Sequence, residues 1–512
     1  MSHVSANEYL KKILLAPVYE AAVNSDCDLM DRLSSELGNK IYLKREDQQP
    51  VKSFKLRGAY NRISQLNQAQ LDKGVIAASA GNHAQGMAYA ANQKQIHATI
   101  VMPETTPDIK VDAVRRFGGE WVEIVQHGTS FDTASAHAQA LCQERGLTYI
   151  PPFDDVDVIA GQGTIAREML EQQPDLDTLF IAVGGGGLAA GIAVYVKQLK
   201  PEIKIIAVES QESACLQAAL HAGEPVTLPS VGIFADGVAV KTIGAETFRL
   251  CQQYVDEVIT VTNDEICAAI KDIFDDTRVI AEPAGALSVA GIRKYCQEHA
   301  LSNQHIGGVL CGANINFHTL RYVSERCELG EGKEAVFAVK IPEETGSFKR
   351  FCEVLGGINI TEFNYRFASA DQAYVFVGVK LKRGLLEYAE LTHTLAKNGY
   401  ESVDLSNDEL AKLHVRHMVG GKPPTVIQER VFAFEFPEYP GALMHFLETL
   451  GDRWDITLFH YRNHGAAAGL VLVGFDLPVS LSGDFAAHLD ALGYVYQEHT
   501  ENVAYQFFLG NH

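Results

Sequence analysis

The sequence predicts an α/β fold: a unit of open, largely parallel sheet covered by helices, followed by two copies of a smaller α+β unit. Three observations predict it. From residue 41 short β-rich runs alternate with helical ones. Two loops, SAGNHAQG at 79–86 and GGGGL at 184–188, each follow an apolar strand-like run and open into an alanine-rich helical segment. The last third of the chain contains a tandem repeat.

Taken in order, IYLKRE from 41 reads as strand, SFKLRGAYNRISQL as helix, GVIAAS as strand, NHAQGMAYAANQ as helix and HATIVMP as strand. IKVDAVRRFG (helix), EWVEIV (strand), a helix near 129–145 and LTYIPP continue the rhythm. GQGTIAREML, TLFIAV, LAAGIAVYVKQL and KIIAVES extend it. In such sheets ligands sit beyond the carboxyl ends of strands, where both glycine-bearing loops fall. IGGVLCGANINF, 306–317, reads as the last strand of this unit, and the polar SERCELGEGKE after it places the boundary near 331–334.

In the remainder, EAVFAVKIPEETGSFKRFCEVLGG from 334 lies over ERVFAFEFPEYPGALMHFLETLGD from 429, and ITEFNYRF from 360 over ITLFHYRN from 456. Each copy then gives an alternating strand, YVFVGVKL and LVLVGFDL. The expected order is strand, P-E-x-x-G turn, helix, two strands, then a helix and a closing strand, a βαββαβ unit. The domains are accordingly 1–330, 335–406 and 430–501.

A chain of 512 residues holds roughly three domains of ordinary size, and 47% apolar with 21% charged residues is a globular composition. The formal net charge of −21, with no Lys/Arg cluster, excludes a nucleic-acid or anionic-membrane partner. Nine scattered cysteines with no C-x-x-C pair suggest neither a disulfide framework nor a metal site, and fit a reducing cytoplasm. Met1–Leu10 lacks the regions of a signal peptide. Leu179–Val196 is long and uncharged enough to be a membrane-span candidate, but its four successive glycines fit a strand, a loop and a helix instead.

The candidate reactive residue is Lys55, between Phe54 and Leu56 at a loop-to-helix junction. An amine in a partly desolvated, apolar setting loses its proton more readily than one in water, as a Schiff-base lysine must. A solvated helix lysine is the alternative for SFKLRG alone. A lysine, then a Ser/Asn/His loop, then a four-glycine phosphate cradle resembles the fold-type II (tryptophan synthase beta-like) pyridoxal-phosphate (PLP) enzymes. Nearly end to end, the chain is similar to the biosynthetic threonine dehydratase (threonine ammonia-lyase) family.

The resemblance implies that Lys55 carries the cofactor and removes the substrate α-proton. Gly184, Gly185, Gly186, Gly187 and Leu188 hold its phosphate, and Asn82 bonds its ring hydroxyl. Ser79, Ala80, Gly81, Asn82 and His83 receive the substrate carboxylate. An Asx turn or helix cap is the alternative for Asn82. Cys311, in LCGAN, lies where the family places a Ser or Cys beside the pyridine nitrogen, with a buried structural cysteine as the alternative. Glu282, in AEPAGA, matches a pocket-lining motif or a charged helix start, and its role stays open.

The implied reaction is dehydration and deamination of threonine to 2-oxobutanoate and ammonia, the first step of isoleucine biosynthesis; serine, one methyl group smaller, is the alternative substrate. The tail resembles ACT amino-acid-sensing units, which implies inhibition by isoleucine, opposition by valine and a homotetramer. Tyr365 in FNYRF and Tyr461 in FHYRN match effector-site tyrosines, with strand-face packing as their alternative. A purely structural dimerisation module is the alternative for the repeat. A non-catalytic amino-acid sensor is the rival for the whole chain, against which an intact Lys55 and glycine cradle speak.

Overall fold

The computed structural model describes residues 4–342, 351, 354, 355, 358–367, 372–417, 428–437, 446, 449, 454–462 and 468–509. The chain divides into two compact units, Met1–Val323 and Ser324–His512. The division precedes the polar stretch at 331–334 and falls inside the helix Thr319–Gly330. The later turns of that helix belong to the second unit because Arg326, buried there, bonds Glu409 with both carboxylate oxygens.

The first unit has two sheets. One orders β1 (Cys27–Leu29), β2 (Lys40–Arg45), β10 (His305–Leu310), β7 (Thr178–Ala182), β8 (Lys204–Ser210) and β9 (Glu257–Val261), parallel except for β1. The other orders β5 (Val122–Gln126), β4 (Ala98–Met102), β3 (Val75–Ala78) and β6 (Thr148–Tyr149), all parallel. β3, β4 and β7 are buried at every position, as expected for parallel strands with helices on both faces. No helix among the described residues is long and apolar enough to cross a membrane; Leu179–Val196 is split between β7, a glycine loop and the helix Gly187–Leu199.

Three helices carry the site, and they touch backbone to backbone. A Cβ at Gly161, in helix Val156–Gln172, would sit 2.6 Å from the Arg57 carbonyl oxygen of helix Lys55–Ser64. One at Gly191, in helix Gly187–Leu199, would sit 2.4 Å from the Ile159 carbonyl oxygen. Only glycine permits either approach. Lys55 is thereby fixed relative to the glycine loop through the helix between them.

The same junction is tied by charge. Arg57, with no exposed surface, reaches Glu46 through Nε and Nη2 (both 2.8 Å) and Glu168 through Nη1 (2.5 Å) and Nη2 (2.9 Å). Lys44 Nζ lies 2.7 Å from Glu168. Two cations face two carboxylates, so the group is neutral, and losing one member would leave a charge buried without compensation.

The second unit holds two four-stranded antiparallel sheets of one topology. The first orders β12 (Asn359–Phe367), β13 (Gln372–Lys380), β11 (Glu334–Pro342) and β14 (Glu401–Asp404). The second orders β16 (Asp455–Arg462), β17 (Ala468–Asp476), β15 (Glu429–Pro437) and β18 (Tyr496–Glu498). Even the irregularity repeats: pairing slips between Ile360 and Glu362 in one sheet and between Ile456 and Leu458 in the other. Ala335, Phe337, Val339 and Ile341 of β11 enter one core, with Leu391 and Leu395 of the helix Leu385–Lys397. Val336 and Ala338 face the opposite way, into a core shared with Val431 and Leu472 of the second repeat.

Candidate active site

Lys55 opens its helix, and its Nζ donates to the Pro152 carbonyl at 3.0 Å. Burial pushes its ammonium down to about 8, against the pull of Cys311 and Glu282. The preceding Phe54 amide donates to the Cys311 carbonyl (3.1 Å), which sets the Lys55 turn on the end of β10. Lys55 is partly buried and not a solvated surface lysine.

Phe153, next to Pro152, carries the connection to the glycine loop. A Cβ at Gly185 would lie 2.2 Å from the Phe153 ring, and Gly186 adopts φ +88°, so both positions require glycine. Thr247 Oγ1 donates to the Gly185 carbonyl (2.7 Å) and the Cys215 thiol to that of Gly184 (3.3 Å), so both carbonyls are engaged within the protein. Gly187 and Leu188 begin a 13-residue helix, whose first amides have no partner within it and favour an anion.

On the other side, Gly81 is the N-cap and Asn82 the first residue of helix Asn82–Lys94. Asn82 therefore does not cap the helix. Its Nδ2 donates to Glu282 Oε1 (2.6 Å) and its Oδ1 accepts from Asn314 Nδ2 (2.8 Å), an arrangement that fixes which way the amide faces. One Nδ2 hydrogen is left over. Ser79 Oγ accepts from the amides of Gly81 and Ala84 (both 3.3 Å), which closes the Ser79–Ala80–Gly81 turn. His83 points elsewhere, its Nε2 3.0 Å from the Ile150 carbonyl.

Cys311 is buried, its thiol 3.5 Å from the Val309 carbonyl, and burial pushes that thiol's pKa up. Glu282 is the N-cap of helix Pro283–Glu298 but makes no side-chain cap bond. Burial, then the Asp236 charge, raises its carboxyl to about 7. Both alternatives for this residue are thus present together, a helix start whose carboxylate faces the site.

Sequence reasoning did not identify Pro152, Phe153, Arg57 or Asn314 as parts of the site. Arg57 and Asn314 stand inside the motifs SFKLRG and LCGAN, so proximity in sequence was the available signal; Phe153 offered none. The backbones of Tyr365 and Tyr461 occupy matching registers, opposite Val375 and Val471, while their side chains lie outside the described residues. So do both P-E-x-x-G turns beyond Pro342 and Pro437.

A phosphorylated aldehyde fits this arrangement. The amine is the electrophile's partner, the glycine loop offers amides where a Cβ would obstruct, and two buried polar atoms near Lys55 have no partner among the described residues: Ser53 Oγ and His83 Nδ1. No group of described residues is arranged to hold a metal ion.

Residues 23–312 match the family model for pyridoxal-phosphate dependent enzymes, and 325–415 with 422–509 match the C-terminal regulatory domain of threonine dehydratase. The chain is 58% identical to the biosynthetic L-threonine dehydratase IlvA of Escherichia coli over 502 residues, 98% of this chain and 97% of that one. It is 47% identical to the mitochondrial threonine dehydratase of Saccharomyces cerevisiae, covering 98% and 89%. Among solved structures, the processed threonine deaminase isoform 2 of Solanum lycopersicum matches 62% of this chain and 92% of its own, at 50% identity and a TM-score of 0.61. Sequence, fold and site geometry agree, and the chain belongs to the biosynthetic threonine dehydratase family of PLP-dependent lyases.

Proposed function

We propose that the protein converts L-threonine to 2-oxobutanoate and ammonia, with residues 1–330 catalytic and residues 335–406 and 430–501 regulatory. The observation that carries this reading is the desolvated amine of Lys55, held between the end of β10 and the glycine loop in a chain 58% identical to a biosynthetic threonine dehydratase.

Pyridoxal phosphate, when bound, supplies an electron sink that acidifies the substrate Cα–H. The residues do the rest. Amides of Gly184–Leu188 would hold the phosphate, and the leftover Nδ2 hydrogen of Asn82 would be donated to the ring oxygen. The buried, neutral thiol of Cys311 would stand at the ring nitrogen without adding charge there. First-turn amides of the helix at Asn82 and His83, with the Ser79–Gly81 turn, receive the substrate carboxylate. Lys55 Nζ, with an ammonium lowered to about 8, is partly neutral near pH 7 and takes the α-proton. Loss of the β-hydroxyl and hydrolysis of the released imine then give the two products.

The tail serves as the sensor: isoleucine inhibits, valine opposes, and Tyr365 and Tyr461 contribute to the effector sites of a cytoplasmic homotetramer. Coupling is reciprocal, so substrate weakens isoleucine binding. Steady-state rates for threonine and serine, each with and without isoleucine, test the whole reading. Threonine as the better substrate, slowed by isoleucine and restored by valine, is expected. A preference for serine, or an isoleucine response that survives removal of 335–512, contradicts it.

A further inference from the structure

Residues 227–242 form a strap that closes on itself. Thr227 and Thr242 join through their hydroxyls (2.8 Å), and the Leu228 amide donates to the Lys241 carbonyl (2.9 Å). A loop tied at its neck is a compact unit of its own. Within it the Val238 amide donates to the Ala235 carbonyl (3.0 Å) and the Ala239 amide to that of Asp236 (3.2 Å), which stiffens 235–239.

This strap bears on the site from three directions. A Cβ at Gly184 would lie 2.9 Å from Val238 Cα, so the backbone of the glycine loop rests on the strap. A Cβ at Gly237 would lie 2.8 Å from that of Ala284, in the first turn of the helix that Glu282 precedes. Asp236 pairs with Lys110 of helix Asp108–Gly118, which connects β4 to β5 in the other sheet.

A fourth contact leads away from the site. The Phe234 ring lies 4.5 Å, centroid to centroid and tilted by 38°, from the buried ring of Tyr322. That is the close end of aromatic packing. Tyr322 stands on helix Thr319–Gly330, whose residues beyond Val323 belong to the second unit. There the helix is held at three points. Arg416 Nη1 donates to the Glu325 carbonyl (3.1 Å), Arg326 Nη2 reaches both Glu409 oxygens (2.7 and 2.6 Å), and Lys380 Nζ reaches Glu328 (2.8 Å). Tyr322 is three and four positions from Glu325 and Arg326, so the held residues and the ring share one helix face. Closely packed side chains have few alternative arrangements, so a displacement at one end of such a series is passed on rather than absorbed.

We infer that the strap 227–242 carries the state of the second unit to the cofactor site, with the Tyr322–Phe234 contact as its joint. Both are positioning residues, acting through Val238 on Gly184. The inference rests on the sensor role given to the tail above.

Phe234→Ala removes the joint, and Phe234→Tyr keeps a ring there. In the full-length, cofactor-loaded enzyme, isoleucine should raise the threonine concentration for half-maximal rate at least about fivefold in wild type and Phe234→Tyr. In Phe234→Ala and Tyr322→Ala the rise should be under about twofold, and the double variant should lose no more than either single one, since all three remove the same contact. Uninhibited kcat should stay within about twofold of wild type, and isoleucine should still bind Phe234→Ala in calorimetry. A full isoleucine response in Phe234→Ala, an equal loss in Phe234→Tyr, or a loss of isoleucine binding itself would overturn the joint.

A second measurement needs no effector. Arg326→Met frees the helix from Glu409 and leaves Lys412 on that carboxylate (2.8 Å). It should change the dissociation rate of pyridoxal phosphate at least about threefold when Phe234 is present and under about 1.5-fold in Phe234→Ala. Equal changes in the two backgrounds overturn the proposal. If wild type ignores isoleucine, the sensor role of the tail falls, and this cycle still decides whether the strap couples the second unit to the site.

Discussion

Both units bury some charge, Arg326 and Lys412 in the second included, but they fill their centres differently. The first buries ionised and polar groups at its centre: Arg57, Lys44, Glu46 and Glu168 are all without exposed surface, and His83, Glu282 and Cys311 are nearly so. The second fills its sheet faces with hydrocarbon, Phe337, Val339 and Val377 on one side of the first repeat and Phe432, Phe434 and Phe475 within the second. Apolar packing is non-directional and tolerates repacking, so it suits a unit built twice from diverged sequences. Hydrogen-bonded charge is directional, and it holds Lys55 in one place.

The largest expected effect that tests this contrast is Lys55→Ala, which should abolish both the visible cofactor band and turnover while leaving the tail's melting unchanged. Arg57→Met comes next. Among the described residues it leaves Glu46 without a paired cation and Glu168 with Lys44 alone, and should cost about 3–5 kcal/mol in denaturant titration. If the loss is under about 1 kcal/mol, the charge group is not what fixes the Lys55 helix.

Phe376→Ala is the counterpart in the second unit. Phe376 is fully buried between the repeats, with its ring centroid 5.7 Å from that of Phe508. Truncation should cost about 3–5 kcal/mol there and leave the lysine–cofactor band intact. Loss of the band would mean that the two units do not separate in this way.

The smallest effect is a pH dependence. Glu282 has a folded-state value of about 7 against an ordinary 4.5. Between those values the folded chain keeps a proton that the unfolded chain releases, so the contribution to stability is complete below pH 4.5 and is lost as pH rises through 7. The loss is on the order of 3 kcal/mol. Glu282→Gln should flatten this part of the melting profile, and an unchanged slope would show that the carboxyl is ionised throughout.

The same contrast explains what the sequence disclosed. The glycine loop was read directly, because a close approach or an anion site limits which residues can stand there, whereas Lys55 and the Asn82 turn stood out only through the family resemblance of the three patterns together. The repeat was legible because two copies display each other, down to ITEFNYRF over ITLFHYRN. The partners were not. Asn82 and Glu282 lie 200 positions apart and Arg57 and Glu168 lie 111 apart, and neither bond leaves a local signature. Phe153 escaped for a related reason: its importance lies in a ring filling the space above Gly185, a contact that no periodicity encodes.

Borohydride reduction of the cofactor-loaded enzyme, followed by peptide mapping, tests the central claim most directly. A single reduced pyridoxyl adduct on Lys55 is the predicted result; an adduct on another residue, or none, would contradict it.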